Sequence, residues 1–138
     1  MFIESNVELG MFIVRVVVGS VFLFHGADKF GLFGGAGLPG YIGWLAGIGI
    51  PTWLGYASAF LEFFSGLFLV LGFATELAAL GGIIMMISAY KLVHHGHGYF
   101  MHLDPLGCEY VLNLSLLCLA IILSGPTFWY LWNPFIRG

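Results

Sequence analysis

The sequence predicts an all-α protein: a bundle of four transmembrane helices with a glycine-rich interfacial segment between the first two. Three observations carry that expectation. The 138 residues are 60% hydrophobic and only 8% charged, whereas soluble domains carry roughly a quarter charged residues. The apolar runs are each about 20 residues long, the length a helix needs to cross the hydrocarbon core. Single ionisable residues, Arg15, Glu62 and Glu109, stand inside three of those runs. A charge in hydrocarbon costs at least a few kcal/mol, so each calls for a partner or a use inside a bundle.

The first span is expected from about Leu9 to Phe30. The residues before it, MFIESNVELG, are acidic rather than basic, and no small-residue cleavage site closes the run, so it is expected to stay as a helix. The segment GLFGGAGLPGYIGWLAGIGIP follows, glycine-rich yet uncharged. Within it Pro39 can open a short helix holding Tyr41, Trp44 and Leu45, and Pro51 can open the next span. Such a stretch suits the membrane interface, over one mouth of the bundle. The second span should run from about Thr52 to Gly72 and the third from about Thr75 to His94. Gly72-Phe73-Ala74 leaves room only for a tight turn, so these two form an antiparallel hairpin. The fourth span should cover about Leu106 to Ser124, stopped by Ser124-Gly125-Pro126. The tail FWYLWNPFIRG, with Arg137, is too short to cross and reads as an aromatic interfacial belt.

Residues 1–138 are thus read as one integral membrane domain. Four spans put both termini on one side, but the four Lys and Arg residues are too few to orient the chain. A net charge of −3 gives no basic footprint for nucleic acid. Cys108 and Cys118 are ten positions apart in one helix, about 15 Å, beyond disulfide reach.

Helical periodicity sorts the polar residues onto faces. Arg15, Gly19, Phe22, Gly26 and Lys29 share a face of the first span, with His25 beside it. Glu62, Ser65, Gly66 and Leu69 share one in the second. In the fourth, Glu109, Asn113, Leu116 or Leu117, and Ala120 form a stripe. In the third, Ser88, Lys91 or Leu92, and His95 do so, with Tyr90 and His94 adjacent. Counting rise per residue places Arg15 roughly 9 Å in from the terminal side and Glu62 near mid-span. Arg15 and Glu62 are therefore expected to pair. His25, Lys29, Lys91, His94 and Glu109 gather towards the other side, making a polar funnel under the segment from Leu32 to Ile50. Such charges either hold a bundle together or serve a ligand or proton-transfer site, and their number favours the site.

A second candidate site is HHGHGYFMHLDPLG. His94, His95, His97 and His102, with Met101 and Asp104, are donors suited to copper or zinc, and an imidazole at a helix end can ligate haem. Their spacing matches no defined metal motif, and the alternative is a polar cap at the interface.

An ordered set of short motifs spans nearly the whole chain: Arg15 with Gly19; Phe24-His25-Gly26-Ala27-Asp28-Lys29-Phe30-Gly31; Gly49-Ile50-Pro51; Glu62 with Gly66, then Gly72; and Gly107-Cys108-Glu109. In this set the chain resembles the DoxX family of small four-helix membrane proteins. That family includes a subunit of a thiosulfate:quinone oxidoreductase, and other members belong to membrane oxidoreductase complexes linked to redox stress. The His-rich loop is not part of the family pattern. The resemblance implies a multi-pass protein of the bacterial inner membrane, a redox component handling a quinone or similar small molecule in the funnel. Arg15 and Glu62 would form its buried pair, and Glu109, His25 and Lys29 would contact the ligand or relay protons. The chain has no flavin or dinucleotide fingerprint, so electrons must come from a partner subunit or a bound cofactor. Two other classes of function stay open: a non-enzymatic adaptor or assembly subunit of a larger membrane complex, and metal or haem handling by the His-rich loop.

Overall fold

The structure, a computed structural model, describes residues 2–102, 105–126, 130–132 and 134, with the backbone alone for residues 2–5. Five α-helices follow in order: α1 (Phe2–Lys29), α2 (Gly37–Gly47), α3 (Thr52–Leu71), α4 (Thr75–Ala89) and α5 (Glu109–Ser124). A π-helical turn, Tyr90–His94, extends α4. Among the described residues there is no strand, only an isolated bridge between Phe73 and Trp132.

Among the described residues, three helices are long and apolar enough to cross a membrane: Asn6–Lys29, Thr52–Leu71 and Thr75–His94. The apolar helix α5 is shorter, with 16 residues, or about 24 Å. It opens at Glu109 rather than near Leu106 because the residues before it are spent on a loop pairing. The Gly107, Cys108 and Glu109 amides donate to the carbonyls of Phe100, Gly98 and Tyr99. At the other extreme α1 starts at Phe2, well before Leu9. Once the apolar span has nucleated a helix, each added residue gains a hydrogen bond, so the polar Asn6 and Glu8 are carried along. Residues 6–10 stay exposed.

The closest packing is between α1 and α3. A Cβ on Gly26 would sit 2.6 Å from Phe63 Cα, one on Gly19 would sit 2.8 Å from the Val70 amide nitrogen, and one on Gly66 would run into the Leu23 backbone. These contacts fix an antiparallel register in which residues 19, 23 and 26 oppose residues 70, 66 and 63. Gly82 of α4 serves the same end at the bundle centre, where a Cβ would meet the Phe22 ring and the Cys118 sulfur at 2.8 and 2.9 Å. Val18, Phe22, Leu69, Ala79, Leu114, Cys118 and Ile121 form the core between these helices.

The α3–α4 turn is closed by Gly72 at φ +72°, a left-handed cap, with the Phe73 amide bonded back to the Phe68 carbonyl. Ala74 also has positive φ, and its amide donates to the Trp132 carbonyl at 2.8 Å. Leu131 returns a bond to Gly72. The aromatic tail therefore does more than line an interface: it clips the hairpin turn, with Trp132 and Phe73 rings 5.2 Å apart. Arg137 lies outside the described residues.

Two faces differ from the periodic reading. The buried face of α5 is Val111, Leu114, Cys118 and Ile121. Asn113 and Leu116, expected to face inward with Glu109, are exposed. Hydrophobicity around α5 is nearly uniform, so the few polar residues misassign its face. The π-turn winds at a longer repeat than 3.6, which rotates the end of α4. His94 is thereby brought into the interior, while Lys91 and His95 are turned out.

Candidate functional site

A cavity of about 560 Å³ opens between α1, α2, α3, the end of α4 and the start of α5. α1 brings His25 and Lys29 to it from its last two turns, and α3 brings Ser58 and Glu62, four apart and hence on one face. The π-turn contributes His94, and α5 contributes Tyr110. α2 closes one wall with Tyr41, Trp44 and Leu45. Its Ile42 and Leu45 side chains lie 3.2 and 3.3 Å from where a Cβ on Gly55 would be, so that glycine lets α2 lie close on α3. The rest of the lining is apolar and includes Leu54, Leu61, Ile84 and Met85.

The polar groups are few and specifically engaged. Lys29 forms a salt bridge and hydrogen bond to Glu62 Oε2, and the two side chains are largely buried. The Lys29 ammonium also lies 4.9 Å from the centre of the Tyr41 ring, a cation–π contact. The Ser58 hydroxyl donates to the Gly55 carbonyl at 2.9 Å. Its one proton is thus used, so the 2.9 Å contact with Tyr41 is a bond from the tyrosine hydroxyl to Ser58 Oγ. That bond ties α2 to α3 across the cavity. The His25 and Tyr110 rings stand 5.9 Å apart. His94 Nδ1 is 3.1 Å from the Leu106 carbonyl, which can only accept. The neutral ring therefore carries its proton on Nδ1 and keeps a lone pair on Nε2.

The expected pair of Arg15 with Glu62 does not form. Arg15 is buried, at 1% exposure, and its guanidinium lies 5.2 Å from the Phe12 ring. The helix register puts it level with the α3–α4 turn, since residue 19 already opposes Val70. Glu62 instead stands level with the last turn of α1, next to Lys29. Depth counted from helix ends fails here because α1 extends well past the end of α3, which packs only on its C-terminal half.

The funnel is likewise narrower than expected. His25, Lys29 and His94 line the cavity, but Lys91 and Glu109 do not. Glu109 holds a loop instead, its Oε1 accepting the Met101 amide at 3.0 Å. Tyr110 and Ser58 were missed as lining residues. Ser58 had a signal, being one helical turn before Glu62. Tyr110 has none, because the polar stripe of α5 through Glu109 and Asn113 excludes it.

Among the described residues of the chain, no group of three or more His, Cys, Asp or Glu could hold an ion. His94 is turned in to Leu106, His95 lies edge-on to Tyr90 at 5.9 Å, and His102 rests 5.4 Å from the Phe100 ring. Asp104 lies outside the described residues. Protein purified without a metal-binding tag should carry the same substoichiometric copper and zinc as a His94→Ala/His97→Ala variant. Stoichiometric metal lost in the variant would overturn this reading of the loop.

The model of the DoxX family matches residues 10–95, from α1 through the π-turn. The chain belongs to the DoxX family. The match takes in His25, Lys29, Glu62 and His94 of the cavity, so these lie in the family region of this DoxX protein. Family membership and the three long apolar helices make it an integral membrane protein. It is 28% identical over 133 residues to the Bacillus subtilis protein named "Putative oxidoreductase CatD", covering 96% of this chain and 91% of that one. No solved structure matches it.

Proposed function

We propose that this DoxX protein is a multi-pass redox component of a bacterial inner membrane that binds a quinone, or a similar small apolar carbonyl compound, in the cavity. In this reading α1, α3, α4 and α5 cross the bilayer, and α2 lies at the interface over the cavity mouth. The observation that carries it is a largely apolar chamber inside the helices with one buried Lys–Glu pair on its wall. Apolar walls suit the ring and the few polar groups suit its oxygens. The redox assignment draws on the relative, which is named an oxidoreductase.

The roles follow from the chemistry of each group. Lys29 donates a hydrogen bond to a carbonyl oxygen and favours the charge that develops there on reduction. Glu62 holds Lys29 in place and exchanges a proton with it. His94, with a lone pair on Nε2, and His25 beside Tyr110 pass protons, which quinone reduction consumes. Electrons come from a partner subunit or from a cofactor held by one, because this chain carries no dinucleotide or flavin fingerprint. Glu109 serves the loop rather than the ligand, and Arg15 serves the opposite end of the bundle.

The test is titration of the detergent-purified protein with a quinone, followed by tryptophan fluorescence, to which Trp44 in the cavity wall contributes. Glu62→Gln and Lys29→Met should each weaken binding about tenfold or more, a loss of at least ~1.4 kcal/mol. Glu109→Gln should bind like the wild type. Wild-type protein that neither copurifies with quinone nor binds it would overturn the reading. An empty protein that copurifies with one membrane partner would instead assign it as an adaptor.

A further inference from the structure

The cavity is not enclosed on all sides. Several residues that line it also lie on the outer surface of the bundle: Leu54 at 39% and Leu61 at 36% exposure from α3, and Ile84 at 50% and Leu92 at 48% from α4 and its π-turn. A side chain can do both only where the wall between inside and outside is open. These four place one opening between α3 and α4; Trp44, at 49% exposure, marks another at α2. Near their turn the two helices touch, with a Cβ on Gly81 only 3.1 Å from Leu61 Cδ1. Beyond Gly81 the cavity separates them.

In the spanning arrangement proposed above, this slit faces the hydrocarbon. Leu61 and Ile84 both stand near the midpoint of 20-residue apolar spans. Its polar side chain, Ser88, donates its hydroxyl proton back to the Ile84 carbonyl at 2.8 Å, so it offers the slit no unsatisfied donor. The polar groups lie on the opposite wall. Beyond Lys29 and His25 a second, smaller space of about 340 Å³ is lined by Asp28, Gly37 and Gly40 and shares Lys29, His25, Tyr41 and Trp44 with the main cavity. The site is thus graded, from a polar vestibule through the Lys29–Glu62 pair to an apolar slit.

We infer that the ligand is a tailed amphiphile dissolved in the bilayer, which enters through the α3–α4 slit and leaves its chain there while its polar head meets Lys29 and Glu62. A water-soluble compound arriving through the vestibule has no use for the slit. This inference rests on the reading of the cavity as a quinone site and adds the class of quinone and its route.

Two quinones with the same ring, one bearing a decyl chain and one without a tail, test it on the full chain in detergent and in nanodiscs. Ser88→Trp places an indole in the slit. It should weaken the decyl quinone about tenfold and the tailless one about twofold or less relative to wild type. In the unaltered protein, a quinone with a diazirine midway along its chain should crosslink to peptides holding Leu61, Ile84 or Leu92. Equal losses for both quinones in Ser88→Trp, or crosslinks confined to Asp28 and Ala36–Tyr41, overturn the slit and leave the cavity reading intact. Wild-type protein that binds neither quinone overturns both.

Discussion

Glu62→Ala should destabilise the protein by about 3–5 kcal/mol, the cost of stranding one partner of a buried ion pair. The Lys29 ammonium would remain within a mostly apolar wall, with the Tyr41 ring and the more distant charge of Asp28 as its remaining partners. A cation–π contact is worth about 0.5–2 kcal/mol and cannot replace a carboxylate there. Lys29→Ala should be costly for the same reason, leaving a carboxylate buried. The double variant Lys29→Met/Glu62→Leu removes both charges and keeps the volume, and should recover most of the loss, since apolar replacements of buried pairs are often neutral. The same double variant should no longer bind quinone. Unfolding in a fixed detergent, followed by helical signal, separates these cases. Single variants no worse than the double would show that the pair is water-exposed in the membrane, contrary to its burial here.

The charged positions were legible in the sequence, but their partners were not. Lone ionisable residues in apolar runs announce an interior, and Arg15, Lys29, Glu62 and His94 do lie largely within the bundle. Pairing them needed the register between helices, and that is set by where backbones can approach, not by where helices begin. The information was present in Gly19, Gly26 and Gly66. Laid against each other as an antiparallel contact, those glycines put Glu62 beside the last turn of α1 and Arg15 beside Gly72. Small residues mark close approach in membrane bundles, and they are a better depth gauge than distance from a helix end. The turn after α3 was readable for a related reason: Gly72 takes a left-handed conformation that other residues avoid.

What could not be read was rotation. The π-turn at Tyr90–His94 shifts every later side chain of that helix, and no residue type in YKLVH demands it. That shift decides that His94, not His95 or Lys91, reaches the cavity. In α5 the apolar residues occur all round, so the periodic signal that orients a water-soluble helix is absent. The stripe through Glu109 and Asn113 was the polar one, and it proved to be the outer one. Glu109 is drawn to the loop because the Met101 amide needs an acceptor there.

The α1–α3 register sets the second large effect. Gly66→Ala should destabilise by about 3 kcal/mol, at or beyond the upper end of the usual range for overpacking. The added methyl would meet the backbone of Leu23, with Phe22 behind it. A flexible side chain could swing aside, but a helix backbone cannot, so α1 and α3 must move apart along their whole contact. Gly10→Ala is the control. Nothing lies within 4 Å of a Cβ at that position, and replacing a helical glycine there should be neutral or stabilise by up to about 1 kcal/mol. The two substitutions are chemically identical and lie on helices of the same pair, so their opposite signs would isolate packing from helix propensity. Spreading α1 from α3 also draws Lys29 away from Glu62, so Gly66→Ala should weaken quinone binding while Gly10→Ala leaves it unchanged. Unfolding in one detergent, with quinone titration alongside, reads both effects. Stability of Gly66→Ala within about 0.5 kcal/mol of wild type, the usual scatter of surface substitutions, would mean that α1 and α3 do not meet at this glycine, and the Lys29–Glu62 register would fall with it.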